Sequence, residues 1–179
     1  MNTTKETKTD TYYNGLADGY NRLYGHEQRQ KLEKAKQEIL PLLDKNAIAS
    51  VLDVGCGTGI STDFWSEVFG IKAVGIDPAI ALLKQNSQTK SILQPGSAEE
   101  LDFADSSFDL VVSFSAIQNF TDVQKGLHEI HRVGKQYFIL SVMNRGSSFP
   151  NIREYIKETF TLRLEFDCVN DTIFFCEKK

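Results

Sequence analysis

Hydrophobic and polar positions change period along this chain in a regular order. Residues 27–40 carry Leu32, Ala35 and Ile39 at helical spacing, with Pro41 at the end. From Ala47 onward strand and helix signals take turns. Residues 48–54 read as a buried strand, and 61–69 as a helix capped by Ser61 or Thr62. Residues 72–76 read as a second strand closed by Asp77-Pro78, 79–86 as a helix, and 91–94 as a short third strand. Residues 108–114 form a fourth strand, apolar enough to be buried on both faces. A helix over 121–132, capped by Thr121 or Asp122, a fifth strand over 136–143 and a helix over 152–160 follow. The period then becomes two: Leu162, Leu164, Phe166 and Cys168 fall on one side, Arg163, Glu165 and Asp167 on the other. Asn170-Asp171 is turn chemistry, and 172–176 return as a strand. Five strand–helix units ending in a hairpin predict an α/β fold. Its doubly wound sheet has seven strands, mostly parallel, with an antiparallel C-terminal hairpin and helices on both faces.

Composition narrows this reading. A chain of 179 residues, 41% hydrophobic and 25% charged, fits one globular domain. Residues 1–10 are polar and expected to be disordered; 11–46 form a tyrosine-rich lead-in and a helix, and 47–179 the core. The net charge of −4 argues against a stand-alone nucleic-acid binder, which carries a basic face. A local patch, or one supplied by a partner, stays open. No run is long and apolar enough to span a bilayer, and residues 1–10 lack the apolar stretch of a secretion signal, so a cytoplasmic protein is expected. Cys56, Cys168 and Cys176 have no metal-binding spacing and read as buried free thiols. His128 and His131, three residues apart, read as a surface helix face rather than a metal site.

The candidate chemistry begins at Val51-Leu52-Asp53-Val54-Gly55-Cys56-Gly57-Thr58-Gly59. An apolar strand ends in an acid and three alternating glycines, and a helix follows. Such a turn lets backbone approach a ligand where a Cβ would collide. The dinucleotide fingerprint would place its third glycine at position 60, where Ile60 stands, and the lysine of a triphosphate loop is missing. The spacing suits a nucleotide-like ligand without pyrophosphate. Asp77 closes the second strand about 20 residues beyond the turn, where an acid accepts hydrogen bonds from ribose hydroxyls. Its alternative role is to open a turn before Pro78.

With these motifs, and with Gly96 to Phe103 and Ser107 to Asp122, the chain resembles a class I S-adenosylmethionine-dependent methyltransferase with its Rossmann-like sheet. The resemblance runs from about Ser50 to Met143, and the terminal hairpin is similar to that family's last two strands. It implies S-adenosyl-L-methionine as cofactor. The binding set it implies is Asp53, Gly55, Cys56, Gly57, Gly59, Asp77, Pro78, Ser97, Ala98, Ser113 and Phe114. Gly55 and Gly57 would admit the methionine and adenosine parts, Asp53 would orient the amino group through water, and Asp77 would hold the ribose. Pro78 and Ala79 would flank the adenine. Gly96-Ser97-Ala98-Glu99 departs from the family's Gly-Asp-Ala-Glu segment. The acid that binds the adenine amino group is Ser97 here, so weaker binding is expected, with the Ala98 amide donating to the ring. Glu99 and Glu100 read as a solvated helix turn.

The methyl acceptor is expected at the carboxyl ends of the strands. Gln118 and Asn119, after the fourth strand, are the catalytic candidates facing the methyl group; capping the next helix is their other reading. Methyl transfer from a sulfonium needs positioning and a dry site, and a base only where the nucleophile must lose a proton. Residues 113–120 hold no His or carboxylate, which favours an acceptor with a free lone pair. The motif that cradles exocyclic or amide nitrogens is absent, which argues against adenine-N6 and glutamine-amide methylation. Ser-Ala-Ile-Gln with Phe120 resembles ribosomal RNA guanine-N7 methyltransferases, which work with a small zinc-binding activator protein. Ser113-Phe114 with Asn119 and Thr121-Asp122 resembles quinone-biosynthesis C-methyltransferases. The substrate is therefore a small molecule or RNA, with no membrane span and an open oligomeric state. A catalytically weak, methyltransferase-like scaffold subunit is the alternative, allowed by Ser97 and by the shortened Arg132-Val133-Gly134-Lys135 before the fifth strand. Tyr12, Tyr13 and Tyr20 resemble a cofactor lid or pack on the helices. Asn144-Arg145-Gly146 reads as an anion-binding or a solvated loop.

Overall fold

A computed structural model of the chain describes residues 11–12, 15, 19–85 and 89–179. Residues 1–10, Tyr13 and Asn86, and the side chain of Tyr20, on which expectations were placed, lie outside the described residues.

One seven-stranded sheet runs in the order β3-β2-β1-β4-β5-β7-β6. Its strands are β1 (Val51–Val54), β2 (Val74–Asp77), β3 (Ile92–Pro95), β4 (Phe108–Phe114), β5 (Gly134–Met143), β6 (Phe160–Cys168) and β7 (Asp171–Lys178). The first five are parallel; β7 runs antiparallel between β5 and β6. The helices are α1 (Tyr20–Ile39), α2 (Ile60–Phe69), α3 (Ile80–Leu83), α4 (Val123–Val133) and α5 (Phe149–Thr159). Among the described residues no helix is long and apolar enough to cross a membrane.

The strand β4 sits at the centre because both its faces are apolar, and it starts and stops where its pattern predicts. Leu110, Val112 and Phe114 join one core with Leu32, Ala35 and Ile39 of α1 and Trp65 of α2. Val111 joins the other with Leu127 and Ile130 of α4 and Ile152 and Ile156 of α5. Successive side chains of a strand point to opposite faces, so one strand feeds two layers of helices. In α5 Pro150 occupies the first turn, where its missing N–H would have no partner.

Three expectations need correction. Only four strands are followed by helices, because residues 96–107 cross from β3 to β4 as an irregular connection. The alternation in β6 does not place its four apolar residues on one face. A register shift between Leu162 and Leu164 inserts an extra residue and reverses the parity. Leu162 therefore packs on the α4–α5 side, and Leu164, Phe166 and Cys168 on the α1 side. Finally, Asp171 is not a turn residue: Val169, with φ 57°, and Asn170 make the turn, and Asp171 is a fully buried start to β7.

Candidate active site

The carboxyl ends of β1, β2, β3 and β4 converge on one rim, and each ends in a residue that carries chemistry. Strand β1 delivers Asp53 and the glycine turn. The backbone there is left-handed at Gly55 (φ 77°) and Gly59 (φ 85°). The missing Cβ atoms do not face open space. One on Gly55 would collide with the Cβ of Ala116, and one on Gly59 would lie 2.8 Å from Leu93 Cδ1. These glycines thus seat the turn against the β4 loop and β3, a packing requirement added to the expected approach to a ligand.

Four of the five amides of the turn, those of Gly55, Cys56, Gly57 and Gly59, are spent internally. Those of Gly55 and Cys56 donate to Ile76 O, each at 2.9 Å, and that of Gly59 donates to Cys56 O at 2.8 Å. The Gly57 amide donates to Asp77 Oδ2 at 2.8 Å, and the other carboxylate oxygen accepts from the Ala79 amide at 2.8 Å. A phosphate cradle needs such amides directed at the ligand. Here two buried carboxylates, Asp53 and Asp77, stand beside the turn instead.

Asp53 is the more unusual of the two. Its Oδ2 accepts from Ser61 Oγ (2.5 Å) and Thr62 Oγ1 (2.7 Å), while buried Oδ1 has no partner among the described residues. Burial pushes its carboxyl up to about 6; the two hydroxyls oppose the rise and Asp77 adds to it. Ser61 and Thr62 were expected to cap α2, but Gly59 holds the cap position and makes no side-chain bond there. A helix starting directly behind the turn points its first side chains back at the strand end, and those hydroxyls serve Asp53. The Cys56 thiol is held well above its ordinary value, by burial first and then by Asp53 and Asp77, so it is protonated and inert.

At the next strand end the hydroxyl of Ser97 donates to a carboxylate oxygen of Glu99. The other oxygen accepts from the amides of Thr121 (2.7 Å) and Asp122 (3.2 Å) at the start of α4. Glu99 is therefore no solvated turn residue. Asp122 itself caps α4, accepting from the Lys125 amide. Ala98 is buried beside Ser97, Pro78 is exposed, and Ala79 is buried.

Beyond β4, Gln118 and Asn119 lie in a 3-10 turn, Ile117–Asn119. The amide of Gln118 donates to Ser115 O at 2.5 Å, which fixes the side chain, and its buried Oε1 has no partner among the described residues. Ser113 Oγ is likewise buried and unpartnered. The ring of Phe114 packs near Trp65, so only its backbone can serve a ligand.

A buried ionic network, not legible from sequence, braces this loop. Lys31 Nζ lies 2.7 Å from Asp171 Oδ1 and 2.7 Å from Glu27 Oε1, and donates to Ser115 Oγ at 2.9 Å. Asp171 Oδ2 accepts from Ser115 (2.7 Å) and Ser141 (2.5 Å). Lys31 and Asp171 are 1% and 0% exposed, which means removing either would strand a buried charge. Ser115 takes φ 55° inside this network. Ten residues earlier on the same helix, Asn21 Oδ1 accepts from Thr58 Oγ1 at 2.6 Å, so α1 covers the glycine turn. Tyr12 is 57% exposed, and Arg145 is exposed as well. Among the described residues no group of three or more His, Cys, Asp or Glu could hold a metal ion. His131, on α4, stacks on Phe138, and burial lowers its pKa.

A family model described as a methyltransferase domain matches residues 52–140. The chain is 27% identical over 160 residues to the demethylmenaquinone methyltransferase of Porphyromonas gingivalis, covering 82% of this chain and 64% of that one. The first curated relatives are matched over 51%, 43% and 64% of their lengths, so the chain spans roughly half of them. The magnesium protoporphyrin IX methyltransferase of Synechocystis, solved with bound S-adenosylmethionine, superposes with a TM-score of 0.76. The identity is 14%, with 99% of this chain and 100% of that one covered. A Haloferax volcanii methyltransferase solved in complex with the Trm112 methyltransferase activator gives a TM-score of 0.76 at 15% identity, over 98% and 99% of the two chains.

Proposed function

Since the chain belongs to the class I S-adenosylmethionine-dependent methyltransferase family, we propose that it transfers a methyl group from S-adenosylmethionine to a small molecule or an RNA base nitrogen. One observation carries the reading. The glycine turn spends four of its five amides on the protein itself and sets two buried carboxylates beside them, one with an oxygen unpartnered among the described residues. That arrangement fits a cationic nucleoside and disfavours a phosphorylated one.

When bound, the cofactor supplies a methyl carbon already activated by a sulfonium, which leaves as a thioether. The protein's work is then to hold and to dry. Asp53 Oδ1 receives the amino group, directly or through water. Asp77 accepts the Gly57 amide at Oδ2 and the Ala79 amide at Oδ1, which fixes the carboxylate that takes the ribose hydroxyls. Ser97 and Ala98 meet the adenine edge, and Pro78 and Ala79 flank it. Gln118 is held by Ser115 and presents Oε1 to an N–H or O–H of the acceptor, aligning the attacking lone pair with the C–S bond. Gln118 can hold a proton in a hydrogen bond but cannot remove it, so the acceptor is one that needs no base. We assign the exposed edge of β3, with Ile92 at 43% exposure and Ile80 of α3 at 48%, to a small activator protein that adds a strand. The three free thiols fit a cytoplasmic site of action.

A labelled-methyl assay on fractionated cell extract tests the proposal. Label entering RNA or a small metabolite supports it. Cofactor binding with no label in any fraction points to a scaffold subunit instead.

A further inference from the structure

The hydroxyl hydrogen of Ser97 is committed to Glu99, and this decides what Ser97 can recognise. A serine hydroxyl normally serves as donor or acceptor by rotating. Here one Glu99 oxygen takes the Ser97 hydrogen, while the Glu99 amide lies 3.4 Å from Ser97 Oγ. The other Glu99 oxygen is occupied by the amides of Thr121 and Asp122, so the carboxylate cannot swing away without uncapping the approach to α4. Ser97 is also anchored as backbone. It bridges Glu100, and the Gly96 amide before it donates to the carbonyl of Asp77 at 3.3 Å. Ser97 therefore stands beside the ribose-binding acid with one lone pair taken by the Glu99 amide, the other left for a donor, and its hydrogen turned away.

We propose that Glu99 is a positioning residue that locks Ser97 as a hydrogen-bond acceptor, so that the site selects a base with an exocyclic amino group over a 6-oxo purine. The proposal rests on the cofactor reading above and deepens it. Ser97 stands where the family segment has its acid, and the carboxylate of Glu99, two residues on, acts through that hydroxyl. The same carboxylate touches the loop leading to α4, so base recognition and the acceptor loop share one anchor.

Glu99→Gln inverts the arrangement. The Thr121 and Asp122 amides require an acceptor, so the glutamine oxygen faces them and its –NH2 faces Ser97. Ser97 Oγ then accepts from the glutamine, and its own hydrogen turns toward the ligand.

The experiment compares calorimetric affinities for S-adenosylhomocysteine and its 6-oxo analogue, S-inosylhomocysteine. The wild-type protein should prefer the adenosyl compound by about ten- to a hundredfold, as one mismatched buried hydrogen bond implies. In Glu99→Gln the preference should fall to about threefold or less, or reverse, a change that general loosening of the loop would not produce because it would weaken both ligands alike. Ser97→Ala is the second variant and should lose the preference without touching the α4 approach, which keeps the test intact if Glu99→Gln fails to fold. Equal wild-type affinities, or an undiminished preference in either variant, would overturn the role of Glu99 and Ser97 while leaving the cofactor assignment standing. Failure of the wild-type protein to bind either compound would remove the cofactor assignment and this inference with it.

Discussion

Replacing Asp53 by Asn should remove most of a pH dependence of stability that a single buried carboxylate creates. The Asp53 carboxyl rises from 3.8 to about 6 because burial costs its ionised form more than the Ser61 and Thr62 hydroxyls return. That rise of a little over two units corresponds to about 3 kcal/mol, at about 1.4 kcal/mol per unit. The folded protein binds this proton more tightly than the unfolded chain. Between about pH 4 and pH 6 the folded state therefore carries more protons, and stability falls as pH rises through that window, levelling off above it. Asn has no charge to lose. Its amide brings a constant offset, since –NH2 takes the place of the unpartnered Oδ1, but that offset does not vary with pH. The stability of wild type minus that of Asp53→Asn should therefore drop by about 2.5 kcal/mol between pH 4 and pH 7.5. Urea unfolding at half-unit steps of pH reads this directly, with the single buried tryptophan, Trp65, as probe. A difference that stays flat, or that grows with pH, would refute the reasoning. The sign matters for function: a protein that keeps a destabilising anion at a rim has that anion ready for a cation, and binding one relieves the cost.

Other substitutions test separate links. Lys31→Met leaves Asp171 buried without its ion pair and should cost about 3–5 kcal/mol in urea unfolding at pH 7.5, and a loss below about 1 kcal/mol would show that the network does not brace the fold. Gly59→Ala forces a Cβ into left-handed backbone against Leu93 and should cost about 1–2 kcal/mol or more; an unchanged melting temperature contradicts the seating of the turn. Asp77→Asn keeps one acceptor oxygen but turns an –NH2 toward either the Gly57 or the Ala79 amide, so cofactor affinity in calorimetry should fall at least about tenfold. Near-normal affinity would count against the ribose assignment.

Local signals made much of this molecule readable from its sequence. The apolar run 108–114 needs nothing beyond its own composition to be a central strand, and the three glycines with Asp77 mark the rim without any contact being known. The signals failed where a side chain's partner lies far along the chain. Ser61 and Thr62 have the look of caps, and only the fold turns them onto Asp53. Nothing in the sequence singles out Lys31, whose partner Asp171 is brought to it only by β7. Glu99 looks exposed until the start of α4 arrives to use it. In β6 the periodicity itself misleads, because one inserted residue reverses the face while the composition still alternates. The short link before β5 is a packing arrangement: α4 runs directly into β5, and Arg132 is tied to Glu129, Asp105 and the carbonyls of Leu101 and Phe103.

Equilibrium titration with S-adenosylmethionine, beside NAD and ATP as phosphorylated controls, probes the central claim most directly. A rim with four of its five turn amides spent and two buried carboxylates beside them predicts saturable binding of the sulfonium nucleoside and none of either phosphorylated compound. Binding of NAD or ATP with no response to S-adenosylmethionine would contradict it.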